Sequence, residues 1–174
     1  MNVASKYTQS MKTLYLIRHA KSDWANEHLS DVDRPLNARG YSDAQKMSAI
    51  IKQKNIVPDF IISSPAVRAI STALIFCRNL NYDPKKMLID KNLYDASVKD
   101  YLSSISKTDN NYHTVFLFGH NPTITNTANS LTKSITEEMS TCCVVGIQSQ
   151  ENSWTNFDKK NNALIYYDFP KNTP

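Results

Sequence analysis

The 174 residues contain no run of about 18 apolar side chains, the length a helix needs to cross a bilayer. A membrane-spanning helix is therefore not expected. Met1 to Lys12 is polar and lacks the apolar stretch of a secretory leader, so a cytoplasmic protein is expected. Cysteine is sparse: only Cys77, Cys142 and Cys143. The count is odd and two are adjacent, which argues against a disulfide framework and for reduced thiols. None has the paired spacing of a metal site. Glycine is scarcer still for the length, with 3 residues. The pair Cys77-Arg78 is thus not followed by the glycine-rich cradle that a cysteine nucleophile for phosphate chemistry would need. The net charge of +4 and pI near 8.9 are mild and dispersed. No basic stripe interleaved with aromatics occurs, so neither nucleic acid nor membrane is an expected partner, whereas an anionic substrate fits.

What is present is a balanced globular composition, 41% hydrophobic and 21% charged, in a length suited to one domain. No repeat or linker divides the chain. Residues 1–11 are expected to be a flexible N-terminal extension, with Met11 an alternative start, and residues 12–170 a single domain. Apolar runs alternate with helical periodicity. Strands are predicted at 13–17, 60–62, 87–89 and 114–118, with a late antiparallel pair at 142–147 and 163–167. Helices are predicted from Asn37, an N-cap, to about Lys54, from Ser64-Pro65, over 96–105, and from Asn121-Pro122 to about Leu131. In the second helix the expected buried stripe is Val67, Ile70, Leu74 and Cys77. The alternation predicts an α/β fold, a three-layer α/β/α sandwich with a mainly parallel central sheet.

In such sheets ligands bind beyond the carboxyl ends of the strands. The first strand, Leu14-Tyr15-Leu16-Ile17, runs into Arg18 and His19. The second delivers Ser63 and Ser64, with Arg68 a turn later, and the fourth delivers His120. Two arginines and two histidines would meet at one edge beside two helix N-termini. Guanidinium forks suit phosphate oxygens, and helix N-termini favour anions. A neutral imidazole can attack phosphorus while the flanking cations neutralise the transferring group. The residues thus predict a phosphate pocket with His19, Arg18, Arg68 and His120 as catalytic candidates. Ser22, Lys21 and Arg34 are candidate substrate-binding residues, and Arg34 can also pair with Asp31 or Asp33. Trp24 and Tyr94 are placed either at the entrance or in packing.

Four stretches then carry a resemblance. Leu16-Ile17-Arg18-His19-Ala20-Lys21-Ser22-Asp23-Trp24, Arg34-Pro35-Leu36-Asn37-Ala38-Arg39-Gly40, Ser63-Ser64-Pro65-Ala66-Val67-Arg68-Ala69 and Gly119-His120-Asn121-Pro122 resemble the motifs of the histidine phosphatase superfamily. They occur in the family's order over about residues 12–131, and look most like the SixA phosphohistidine phosphatase branch. The resemblance implies a phosphoglycerate mutase-like fold and a phosphohistidine intermediate on His19. It implies that Arg18, Arg68 and His120 complete the pocket, with neither metal nor cofactor. Phosphate or sulfate would occupy the pocket, and the substrate would be a phosphorylated protein or a small phosphate. Larger members carry a carboxylate acid between the second arginine and the second histidine. Here that segment offers Asp83, Asp90, Asp95 and Asp100 and no glutamate, with Asp95 the candidate. Dephosphorylation of protein phosphohistidine is the expected activity. A small-ester phosphatase and a non-catalytic phosphate-binding module are the alternatives.

Overall fold

A computed structural model describes residues 11–135, 137–158 and 162–172. Six strands form one sheet in the order β3-β2-β4-β1-β5-β6. They are β1 (Lys12–Arg18), β2 (Phe60–Ser63), β3 (Leu88–Ile89), β4 (Thr114–Gly119), β5 (Val144–Ser149) and β6 (Ala163–Asp168). The pairs β2–β3, β2–β4 and β1–β4 are parallel, and β5 is antiparallel to both β1 and β6. Five strands therefore point one way and β5 alone runs back, as the predicted late antiparallel pair requires.

The continuous apolar runs of β1 and β4 follow from burial on both faces. Side chains alternate across the sheet. Leu14, Leu16, Val115 and Leu117 face one layer, where Tyr101 and Ile105 of α3 (Val98–Ser106) and Ile124, Ala128 and Leu131 of α4 (Thr123–Thr132) cover them. Tyr15, Ile17, Phe116 and Phe118 face the other. There Ala44, Met47 and Ile51 of α1 (Ala38–Gln53) and Ala73, Phe76, Cys77 and Leu80 of α2 (Val67–Leu80) cover them. The three-layer sandwich is the fold the alternation predicts.

Several details differ from the sequence reading. Asn37 does cap α1, its Oδ1 accepting from the Gly40 amide at 2.8 Å. Ser64 and Asn121 do not cap their helices. α2 begins at Val67 behind Ala66, and α4 at Thr123 behind Pro122, after a cis Asn121–Pro122 bond. Both polar side chains are committed elsewhere, as shown below. The buried stripe of α2 is also rotated: Val67 and Leu74 are exposed, and Ala69, Ala73 and Phe76 are buried. Arg68 and Thr72 lie one turn apart and both face inward, with Thr72 Oγ1 donating to the Arg68 carbonyl at 2.7 Å. Turning Arg68 toward the sheet edge carries the apolar stripe round with it. β5 starts at Val144 rather than Cys142, because Cys142 has a positive φ of 60° and uses its amide outside the ladder. The three cysteines are free and buried. No helix among the described residues is long and apolar enough to cross a membrane.

Candidate active site

The carboxyl ends of β2, β4 and β1 are neighbours, and their polar termini converge. The backbone at the end of β1 is held from two sides. The Arg18 amide donates to the Cys143 carbonyl, the His19 amide to the Gly119 carbonyl, and the His19 carbonyl accepts from the Cys142 amide, at 3.0–3.1 Å. The next amide, of Ala20, donates to Thr72 Oγ1 at 3.0 Å. A rigid main chain therefore aims the two side chains.

The His19 ring is fixed in one tautomer. Its Nδ1 lies 2.7 Å from the Ala20 carbonyl oxygen, which can only accept, so Nδ1 carries the proton. Nε2 is left with its lone pair, 3.3 Å from Arg68 Nε. The His120 ring lies 5.0 Å from that of His19, centroid to centroid, and its Nε2 is 2.7 Å from Ser64 Oγ. That contact is what takes Ser64 away from the helix start. His120 Nδ1 is buried without a hydrogen-bond partner among the described residues, and so is Arg18 Nε. Arg18 Nη1 donates to the Met139 carbonyl at 2.6 Å. Asn121 Nδ2 donates to the same carbonyl at 2.9 Å, and its Oδ1 accepts from Thr125. The side chain expected to cap α4 instead ties the 138–140 segment to the site.

Burial sets the protonation. Desolvation, with the charges of His120, Arg68 and Arg18 added, pushes the His19 pKa down to about 3, against the opposing Ala20 hydrogen bond. Desolvation and the two arginines push His120 to about 4, against the pull of Asp31. Both imidazoles are thus neutral near pH 7. A cleft of about 400 Å³ opens over His120, lined by residues that include Asp31, Arg68, Tyr94, Asp95 and Thr123; His19 lies behind Arg68, its Nε2 3.3 Å from Arg68 Nε. The Tyr94 ring stands edge-on to His120 at 5.7 Å. Asp95 lines the cleft with a positive φ of 49°.

The other predicted residues are placed differently. Ser22 and Arg34 are buried and bonded to each other, Arg34 Nη2 donating to Ser22 Oγ at 2.7 Å. Arg34 also pairs with Asp31 at 3.0 Å and stacks on Trp24 at 3.2 Å from the ring centre. The side chain of Lys21 is exposed; its carbonyl accepts from the Asn37 amide at 3.0 Å. That carbonyl sits where a Cβ at residue 40 would come within 2.1 Å, which is why the start of α1 needs Gly40. Among the described residues no group of three or more His, Cys, Asp or Glu side chains could hold a metal ion. The sequence reading missed the reach of Asp31 to Arg68 and the roles of Ser64, Thr72 and Met139. The spacing of Asp31 and Arg34 signals their own pair but not the contact with Arg68, 37 residues away. Nothing local signals the others, because their partners are distant in the chain.

Comparison with known proteins places this geometry. The profile of the family described as "Histidine phosphatase superfamily (branch 1)" matches residues 14–105, more than half of the chain. An uncharacterized chloroplastic protein of Arabidopsis thaliana is 30% identical over 161 residues, covering 87% of this chain and 72% of that protein. A 2,3-bisphosphoglycerate-dependent phosphoglycerate mutase of Bifidobacterium longum is 39% identical over 64 residues, 36% of this chain and 26% of the mutase. Among solved structures, an Agrobacterium tumefaciens protein assigned as phosphohistidine phosphatase SixA superposes with a TM-score of 0.76 at 26% identity. That match covers 90% of this chain and 96% of the other. A protein histidine phosphatase SixA in complex with tungstate gives 0.79 at 18% identity, covering 93% and 99%.

Proposed function

We propose that this chain, which belongs to the histidine phosphatase superfamily, is a phosphatase that works through a phosphohistidine on His19 and acts on phosphohistidine in proteins. The observation that carries the reading is the His19 ring itself: buried, neutral, its proton parked on Nδ1, its Nε2 lone pair directed at Arg68. An imidazole so held is a nucleophile at every pH near neutrality. In the first step Nε2 attacks phosphorus and the P–N or P–O bond of the substrate breaks, the leaving group taking the electron pair. In the second step water attacks the phosphorus of phospho-His19 and releases phosphate, returning the imidazole. Arg18 and Arg68 hold the phosphoryl oxygens, and His120 adds a hydrogen bond as charge builds on them. The positive charge that phosphoryl transfer needs is supplied by guanidinium groups, so no metal takes part.

The choice of protein phosphohistidine as substrate rests on leaving-group chemistry and on the cleft. Imidazole departs from a protonated phosphoimidazole without strong help from an acid, and a cleft shared by the loops at 31 and 93–96 suits a side chain presented from outside. That a SixA structure carries tungstate, a phosphate analogue, supports an oxyanion in this pocket. The test is direct. His19→Ala is expected to abolish turnover of p-nitrophenyl phosphate and of phosphohistidine while retaining the fold. Wild-type protein quenched in alkali during turnover is expected to carry the label on His19, since phosphoramidates survive base. Wild-type rates in the alanine variant would overturn the covalent mechanism.

A further inference from the structure

Arg68 is gripped from behind. Both its terminal nitrogens are taken by one residue, Asp31: Nη1 donates to the Asp31 carbonyl and Nη2 to Oδ2 at 2.8 Å. Its Nε is left facing His19 Nε2. The guanidinium has five N–H donors in one plane. A partner on the Nη1–Nη2 end therefore fixes the plane and leaves the Nε side to the nucleophile and whatever it attacks. Asp31 is itself fixed. Its Oδ1 pairs with Arg34 at 3.0 Å, and its Oδ2 also accepts from the Tyr94 hydroxyl at 2.8 Å. It opens the short 3₁₀ turn at Asp31–Asp33, which Ser30 braces by donating to Asp33 at 2.6 Å. Through these bonds Asp31 joins the 20–36 loop to the 90–97 loop across the mouth of the cleft.

We propose that Asp31 is a positioning residue for phosphoryl transfer: it clamps the outer edge of the Arg68 guanidinium and so sets the direction of the Nε edge toward His19 and the phosphoryl oxygens. The inference rests on the reading of Arg68 as a phosphate ligand beside a nucleophilic His19. Asp31 is not a proton donor. Burial alone would raise its pKa, but the bonds from Tyr94 and Arg68 and the charges of Arg68 and Arg34 hold it below the ordinary carboxylate value. A fixed negative charge next to a dianionic substrate is adverse to ground-state binding. Its contribution must therefore lie in orientation, and this gives the proposal a signature that a plain structural role lacks.

The experiment compares wild type with Asp31→Asn, an isosteric change that removes the charge and weakens the side-chain half of the grip, on Nη2, while the main-chain carbonyl still meets Nη1. Readouts are kcat for p-nitrophenyl phosphate, inhibition by inorganic phosphate, and melting temperature. The expected result is a kcat lower by about 10-fold or more, as misplacement of a reacting group produces. Inhibition by phosphate is expected to be unchanged or tighter, and the melting temperature unchanged. A wild-type kcat overturns the proposal. So does a kcat loss accompanied by weaker phosphate inhibition or a lower melting temperature. His19→Ala run alongside separates the two readings. If it retains turnover, or if wild type has none, the covalent reading fails and the inference falls with it. If only Asp31→Asn behaves as wild type, the inference alone fails.

Discussion

At the scale of single residues, the phosphohistidine reading and the ester reading differ in whether a side chain must protonate the leaving group. Asp95 is the candidate placed by the fold: it lines the cleft beside His120, and it holds a left-handed backbone conformation that a non-glycine residue adopts at a cost. This observation favours a second reading, a small-ester phosphatase with Asp95 as general acid. The two readings part on leaving-group chemistry. Loss of a general acid costs about 10²–10⁴ in rate for a poor alkoxide leaving group and far less for an imidazole. If the protein is a phosphohistidine phosphatase, kcat/KM for a phosphohistidine peptide is expected to exceed that for glycerol phosphate widely, and Asp95→Asn is expected to leave the former unchanged. Side-by-side rates near neutral pH decide. Glycerol phosphate as the better substrate, slowed selectively in Asp95→Asn, would make Asp95 the acid and the ester reading correct.

Among elements, the seam between α3 and β4 determines where His120 sits. Gly119 ends β4 directly against the buried ring of Tyr101; a Cβ there would meet the hydroxyl at 2.1 Å and the ring carbons at 2.8 and 2.9 Å. The same hydroxyl accepts from the His120 amide at 3.0 Å. Gly119→Ala is therefore expected to destabilise by about 1–3 kcal/mol, and Tyr101→Phe by about 1 kcal/mol through the lost bond. Because Phe removes the worst of the clash, the double variant is expected to lose less than the sum, by about 0.5 kcal/mol or more. Additive melts would show that the seam is not shared. Elements of this kind also mark what a sequence displays. Strands β1 and β4 were legible because both are apolar on two faces, and α1 because Asn37 caps it locally. The starts of α2 and α4 were not, since Ser64 and Asn121 were drawn off by His120 and Met139, groups that only the fold brings near. The four residues Arg18, His19, Arg68 and His120 could be read together because each follows a recognisable strand end. The engagement of Arg34 with Ser22, Asp31 and Trp24 is a matter of loop geometry, and only one of its partners, Asp31, was within reach of spacing arguments.

For the molecule as a whole, a buried and a half-buried neutral histidine make stability depend on pH in a predictable direction. Unfolded, each takes up a proton below its ordinary pKa of about 6.5. Folded, His19 and His120 resist protonation down to about 3 and about 4. Their contribution is complete above pH 6.5 and is lost as pH falls toward those values, by about 1.4 kcal/mol per pH unit for each ring at full slope. The groups that face them are Arg18, Arg68, Ser64, Tyr94, Tyr101 and the carboxylate of Asp31. Thermal melts are expected to be flat from pH 8 to 7 and to fall from 6.5 to 5. The fall should be shallower in His19→Ala/His120→Ala, and a double variant with the wild-type slope would refute the assignment. The position of β1 has a further consequence for how the protein comes into being. Thr13 is paired with Thr114 on one side and with Gln148 on the other. The strand that leads into His19 is made early and must wait for neighbours made late. Such distant pairing folds slowly. While the chain is still emerging from the ribosome, His19 has no Gly119 or Cys142 to hold its backbone, so the geometry at the end of this strand can form only after most of the chain has been synthesised.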